Sequence, residues 1–233
     1  MKAVYNLRTH LASFEFFNWL VMVKADGATE IVFDIANPKL KNFHDVLQRY
    51  ESILKPGAAL ADLPWRQGSN DGGLDAVSSH LLPWVMSGRT FSRLLTVKPA
   101  IRCKYTVTIR DNADGAKSRN SNREAWTRFA EEIGAVLIDD YFFKPIHLHD
   151  RMALYAGAEM NFGVCNGPIH TISLTPYPVT MFINSDSARN SQVRWGMRPD
   201  EKYPWMLPNQ SMVWKDDNLD NLRRRFEATI NAR

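Results

Sequence analysis

Much that would narrow the function of this 233-residue chain is missing from it. Its two cysteines, Cys103 and Cys165, form no CxxC pair and have no Cys/His cluster around them, which argues against a disulfide framework and a structural zinc site. No apolar run approaches the roughly 18 residues of a membrane-spanning helix. The opening MKAVYNLRTHLASFEFF lacks a signal-peptide cleavage pattern, so a cytoplasmic location is expected, with contact at a membrane surface left open. Strong charge is missing as well. A net charge of +4 and a pI near 9.1 favour phosphate-bearing ligands but fall short of a nucleic-acid footprint, and no nucleic-acid partner is expected. No GxGxxG follows an early strand, which ranks a Rossmann dehydrogenase low. The glycine-rich run Gly68 to Gly73 lacks the lysine and Ser/Thr of a P-loop and reads as a solvated loop. There is no internal repeat and no low-complexity segment.

What is there centres on Glu159 to Asn184, EMNFGVCNGPIHTISLTPYPVTMFIN. Met160 to Val164 is a short, mainly apolar run, and Val179 to Ile183 is rich in β-formers, so both read as buried parallel strands. Between them Pro168 suits the first turn of a helix and Gly167 a tight approach to it. Such a start would turn the N–H groups of Ile169, His170 and Thr171 toward a crevice, a ready anion site.

The remaining chain reads as alternating strands and helices. Ala3-Val4-Tyr5 begins a strand, Leu11 to Lys24 is a helix with apolar residues at helical spacing, and Ala28 to Ile35 is a strand ending on Asp34. Lys39 to Leu54 follows as an amphipathic helix closed by Pro56-Gly57, and Leu81 to Leu95 as another helix ending near Pro99. Then come a strand at Lys104 to Asp111 with Arg110 at its exit, a helix at Arg123 to Ile133, a strand at Ala135 to Asp139 and a helix at Asp150 to Ala158. Asn184 to Pro208 reads as long and irregular, the kind of loop that serves a site, and Asn218 to Asn231 as a charged helix. The succession predicts an α/β fold, either one doubly wound sheet or two Rossmann-like lobes with parallel sheets. The expected division is an abridged first lobe over residues 1–98 and a second over 99–233.

Gly163, the Gly167-Pro168-Ile169-His170 run, Pro178 and Phe182 resemble the donor-binding segment of GT-B glycosyltransferases, in particular the glycine-proline-x-histidine turn of heptosyltransferase-like enzymes. The resemblance is strongest over residues 104–217. Where heptosyltransferases usually carry an acidic residue and a serine or threonine before that glycine, this chain has Cys165-Asn166. Arg119-Asn120-Ser121-Asn122 with Trp126 is similar to the arginine-containing loop before a donor-lobe helix in fucosyltransferase-like members. The resemblance implies a GT-B-like two-lobe arrangement, residues 1–98 receiving the acceptor and 99–233 the nucleotide sugar. It also implies transfer to a glycan or lipid-linked acceptor with no cofactor and no bound metal.

Several residue types in this pattern suit that chemistry. Arg110 at a strand exit can hold two phosphate oxygens and offset charge growing on a diphosphate leaving group; the competing reading pairs it with Asp111 or Asp114 on the surface. Arg119 is a second phosphate candidate, and Asn120 or Ser121 suits a helix N-cap, with Ser121 preferred. Asn166, Gly167, Pro168, Ile169 and His170 form the donor turn, where His170 either touches phosphate or sugar or packs against a neighbouring strand. Transfer also needs a base for the acceptor hydroxyl. His10, in the loop after the first strand, is the first candidate, with Asp34 and Glu15 behind it, and each has a purely structural reading. His147 and His149 are spaced for one face of a strand, without a third metal ligand in view. Asp216 and Asp217 suit a helix cap better than a donor hydroxyl. A nucleotide-sugar epimerase or hydrolase, and a non-catalytic nucleotide- or glycan-binding module, are the competing functions.

Overall fold

The computed structural model describes residues 1–35, 43–68, 81–111, 117–139 and 147–231, and the side chains of residues 43–45 are not described. The run Ser69 to Gly73, Asp114 and Pro145-Ile146 lie outside the described residues. The chain divides into two compact units, Met1–Val97 with His147–His149, and Lys98–Ile146 with Asp150–Arg233. Both are α/β with all-parallel sheets. Among the described residues no helix is long and apolar enough to cross a membrane.

In the first unit, β1 (Lys2–Asn6), β2 (Glu30–Asp34) and β3 (Trp65–Gln67) form a sheet of order β1-β2-β3. Ala3-Val4-Tyr5 and Ile31-Val32-Phe33 are fully buried, the pattern of parallel strands covered on both faces. Helix α1 (Glu15–Ala25) buries Phe16, Phe17, Trp19, Leu20, Val21, Met22 and Val23. It starts at Glu15 rather than Leu11 because Leu11 to Ser13 form a tight bend, with Ser13 N–H donating to Leu11 O (2.8 Å).

The expected stop at Pro56-Gly57 is not a stop. Helix α2 (Phe43–Arg49) passes through a π-turn at Tyr50–Leu54 into α3 (Lys55–Leu60). Lys55 N–H donates to Tyr50 O five residues back, and this wider turn admits the ring of Pro56, which a regular helix interior would reject. Gly57 is needed for packing, since a Cβ there would stand 2.9 Å from a ring carbon of Phe16. Helix α4 (Leu81–Met86) is shorter than expected. Gly88 at φ +80° turns the chain away, and Arg89 folds back over the Trp84 ring.

The second unit has five strands in the order β5-β4-β6-β7-β8, from β4 (Cys103–Ile109), β5 (Val136–Asp139), β6 (Ala158–Val164), β7 (Val179–Phe182) and β8 (Gln210–Val213). Between them run α5 (Arg123–Ile133), α6 (Leu148–Gly157), α7 (Gly167–Ile172) and α8 (Asp186–Arg194), and α9 (Leu219–Asn231) follows β8. Side chains alternate along β6 as a strand requires. Phe162 and Val164 join Val107, Trp126, Phe129, Phe182 and Leu222 in a core beneath α5 and α9. Asn161 and Gly163 face the other side. There Asn161 Nδ2 donates to Pro178 O (2.9 Å), Thr108 Oγ1 bonds the Tyr155 hydroxyl of α6 (2.9 Å), and Gly163 makes room for Ile169 of α7. Helices on both faces make this a doubly wound sheet.

The segment expected to be irregular after Asn184 contains α8. Its residues, Asp-Ser-Ala-Arg-Asn-Ser-Gln-Val-Arg, are mostly polar because the helix buries only Ala188 and Gln192. His149 lies in the first turn of α6, not on a strand, so the proposed one-face spacing with His147 does not arise.

Candidate active site at the sheet switch point

β4 lies between β5, the next strand in sequence, and β6, which returns on its other side. At such a reversal the connections leave on opposite faces, and open parallel sheets bind ligands beyond the carboxyl ends of the two strands involved. Those ends are Ile109, followed by Arg110, and Val164, followed by Cys165 and Asn166.

Arg110 is half-buried. Its Nε donates to Asn120 Oδ1 at 3.4 Å, and burial, then the neighbouring Arg119, pulls its guanidinium below the ordinary value. The proposed pairing with Asp111 is absent because Arg123 takes that carboxylate (2.9 Å) together with Asp139. Arg119 closes a short 3₁₀ turn, Lys117–Arg119, and its Nε is buried with no hydrogen-bond partner. Among the described residues neither Arg110 nor Arg119 forms an ion pair with a carboxylate. Both act electrostatically on the buried Cys165 thiol.

Beneath the arginines lies a neutral polar floor. Cys165 Sγ is 3.8 Å from the Tyr203 hydroxyl and accepts from Gln192 Nε2 (3.6 Å), while Tyr203 donates to Gln192 Oε1 (2.8 Å). Burial raises both the thiol and the phenol above their ordinary values, so both stay protonated at neutral pH. The positive charge above them is therefore not cancelled from below, and an anion is the group that would relieve it.

The backbone contribution differs from expectation. Asn166 caps α7, its Oδ1 accepting from Ile169 N–H (2.9 Å) and its carbonyl from His170 N–H (2.8 Å). Pro168 has no N–H, and Thr171 sits one residue deeper in the helix. The expected row of crevice-facing amides is thus already consumed by the cap. His170 packs edge-on against Tyr203 and Trp205, ring centroids 5.3 and 6.0 Å away, and burial lowers its pKa to about 4. It is a neutral imidazole, suited to a hydrogen bond but not to charge neutralisation.

Two capping assignments also change. Asn122, not Asn120 or Ser121, caps α5, accepting from Ala125 N–H (3.2 Å). Ser121 instead exchanges two bonds with Arg110. Its Oγ accepts from Arg110 N–H (2.8 Å) and its own N–H donates to Arg110 O (2.9 Å). Neither Asp216 nor Asp217 caps α9, where Asn218 accepts from Asn221 N–H (3.0 Å). Asp216 pairs with Arg189, and the buried Asp217 accepts from Asn122 N–H (2.8 Å) and Trp126 Nε1 (2.7 Å).

The structure thus brings Arg110 and Arg119 together with Cys165 and the Asn166 turn. Cys165, Gln192 and Tyr203 as the floor, and Asn184, are not among the residues expected from the sequence; Cys165 and Asn184 had a local signal, their place just past a strand's carboxyl end, and Gln192 and Tyr203 had none. His10 belongs to the first unit, in the turn after β1, where its ring stacks on Tyr5 at 4.9 Å. Asp34 is buried at the end of β2, and Glu15 is exposed in the first turn of α1. Among the described residues no group of three or more His, Cys, Asp or Glu is placed to hold a metal ion. Comparison with protein-family models, with curated proteins and with solved structures finds no match to this chain.

Proposed function

We propose that the chain is a glycosyltransferase that moves a sugar from a nucleoside-diphosphate donor to a glycan or lipid-linked acceptor. The observation that carries this reading is the pair Arg110 and Arg119, without carboxylate partners among the described residues and set over a neutral floor at the switch point. In this reading the two guanidiniums bind the diphosphate and stabilise the negative charge on its leaving oxygen, which keeps the electron pair as the bond to the anomeric carbon breaks. The Asn166-Gly167-Pro168-Ile169 turn shapes the site beside them, and neutral His170 supplies a hydrogen bond rather than charge. The acceptor oxygen forms the new bond and gives its proton to a base, for which His10 is the candidate from the sequence. The finer assignment is GT-B-like, with residues 1–98 serving the acceptor and 99–233 the donor.

Calorimetric titration with UDP, GDP, ADP and CMP and their sugars tests the reading. One diphosphate is expected to bind selectively, and Arg110→Ala to weaken it more than about tenfold, the size of a charge-assisted contact. Affinity unchanged in Arg110→Ala, or no nucleotide bound at all, would remove the assignment.

A further inference from the structure

The segment carrying Arg119 is tied down at three consecutive residues, each from a different strand exit. Asn120 O accepts from Asn184 Nδ2 (2.8 Å), two residues past the end of β7. Ser121 exchanges its two bonds with Arg110, directly after β4. Asn122 N–H donates to Asp217 Oδ2, four residues past the end of β8. Asn184 and Asp217 are 8% and 6% exposed, polar groups whose burial is unfavourable unless they are bonded. The Asn184 bond belongs to no helix or strand pairing, the Asp217 bond holds the residue that caps α5, and the two reach the chain one and three residues after Arg119. Packing adds to this, since α8 lies against the Lys117–Arg119 turn.

We infer that Asn184 and Asp217 are positioning residues that hold Arg119 beside Arg110, so that the anion site is formed before its ligand arrives. The inference rests on the anion-binding reading of the two arginines. Its physical content is that a guanidinium held in place loses less conformational freedom on binding than one on a free loop. Asn184 acts through the backbone of Asn120 and Asp217 through the backbone of Asn122. Their effect on a ligand should therefore disappear when Arg119 is gone.

That requirement gives the test, a double-mutant cycle read by calorimetry with UDP and inorganic pyrophosphate as probes. Asn184→Ala is expected to weaken binding about fivefold, one ordinary hydrogen bond's net worth. In the Arg119→Ala background the same change is expected to cost less than about twofold. A merely structural role would lower affinity equally in both backgrounds, which would overturn the inference. Asp217→Ala, which removes the oxygen that accepts from both Asn122 and Trp126, repeats the cycle. Thermal melting of each variant confirms that it remains folded. If Arg119→Ala weakens the probes while Asn184→Ala and Asp217→Ala bind like the unsubstituted protein, the positioning role fails and the anion site stands. If the unsubstituted protein binds neither probe, both fail.

Discussion

Each unit buries one tryptophan completely on a helix beside a parallel sheet, and the two indoles are treated in opposite ways. Trp19 of α1 lies among Tyr5 and Phe16, ring centroids 4.9 and 5.8 Å away, and its Nε1 has no hydrogen-bond partner. Trp126 of α5 packs edge-on against Phe182 at 5.5 Å, but its Nε1 donates to the buried Asp217, 91 positions along the chain. In the first unit the indole fills an aromatic core. In the second it is also a tie, and the segment it secures follows the arginine loop. The difference teaches that part of the second unit's polar interior ties together the chain at the carboxyl edge of its sheet.

The largest effect that would break or confirm this contrast is the loss of each indole N–H. Trp126→Phe leaves Asp217 with one donor and opens space in a close-packed core, and should destabilise by about 3 kcal/mol. Trp19→Phe removes a donor that had no partner, so its cost should be nearer 1 kcal/mol. Urea unfolding followed by amide exchange in β4 and in β1 measures the two separately, and equal losses would end the contrast.

Acid sharpens it next. The folded pKa of His170, about 4, lies below the ordinary 6.5, so between those values the unfolded chain binds more protons than the folded one. Stability contributed by the neutral imidazole is present above pH 6.5 and is lost as pH falls toward 4. Lowering the pH from 7 to 5 should cost about 2 kcal/mol through this group, and His170→Gln should flatten that part of the stability profile. An unchanged profile would mean that the ring is hydrated in the folded state. The smallest effect belongs to the surface of the first unit. Arg89, half-exposed, pairs with Asp26 at 2.9 Å and lies over Trp84, and Arg89→Ala should cost less than about 1 kcal/mol in the same unfolding assay.

The second unit was the more legible in sequence. α5 occupies the expected residues because its buried positions, Ala125, Trp126, Phe129 and Ala130, recur at helical spacing between the Asn122 cap and Gly134. Strand, turn and short helix around Gly167 also stand where the pattern put them, within a residue or two. The short edge strands β3 and β8 were not readable. Trp65-Arg66-Gln67 and Gln210-Ser211-Met212-Val213 pair on one side only and carry little hydrophobic alternation. Nor was α8, whose polar face dominates its sequence. At the candidate site, Arg110 was visible as a residue leaving a strand. The absence of a carboxylate partner among the described residues was not, because it depends on Arg123 claiming Asp111 and Asp139 at once. The use of the α7 amides by Asn166 was hidden for a related reason, since the same Asn-Gly-Pro letters suit either a capped helix or an open anion cradle.

Strand order has a consequence for how the second unit is made. β4 is synthesised first, β5 and β6 lie on its two sides, and β7 and β8 follow outward, one beside the last. Every new strand meets an edge that is already exposed, so nothing formed earlier has to open to admit it. Asp217 comes off the ribosome after all five strands. Until it does, Asn122 and Trp126 lack the acceptor they share in the folded unit.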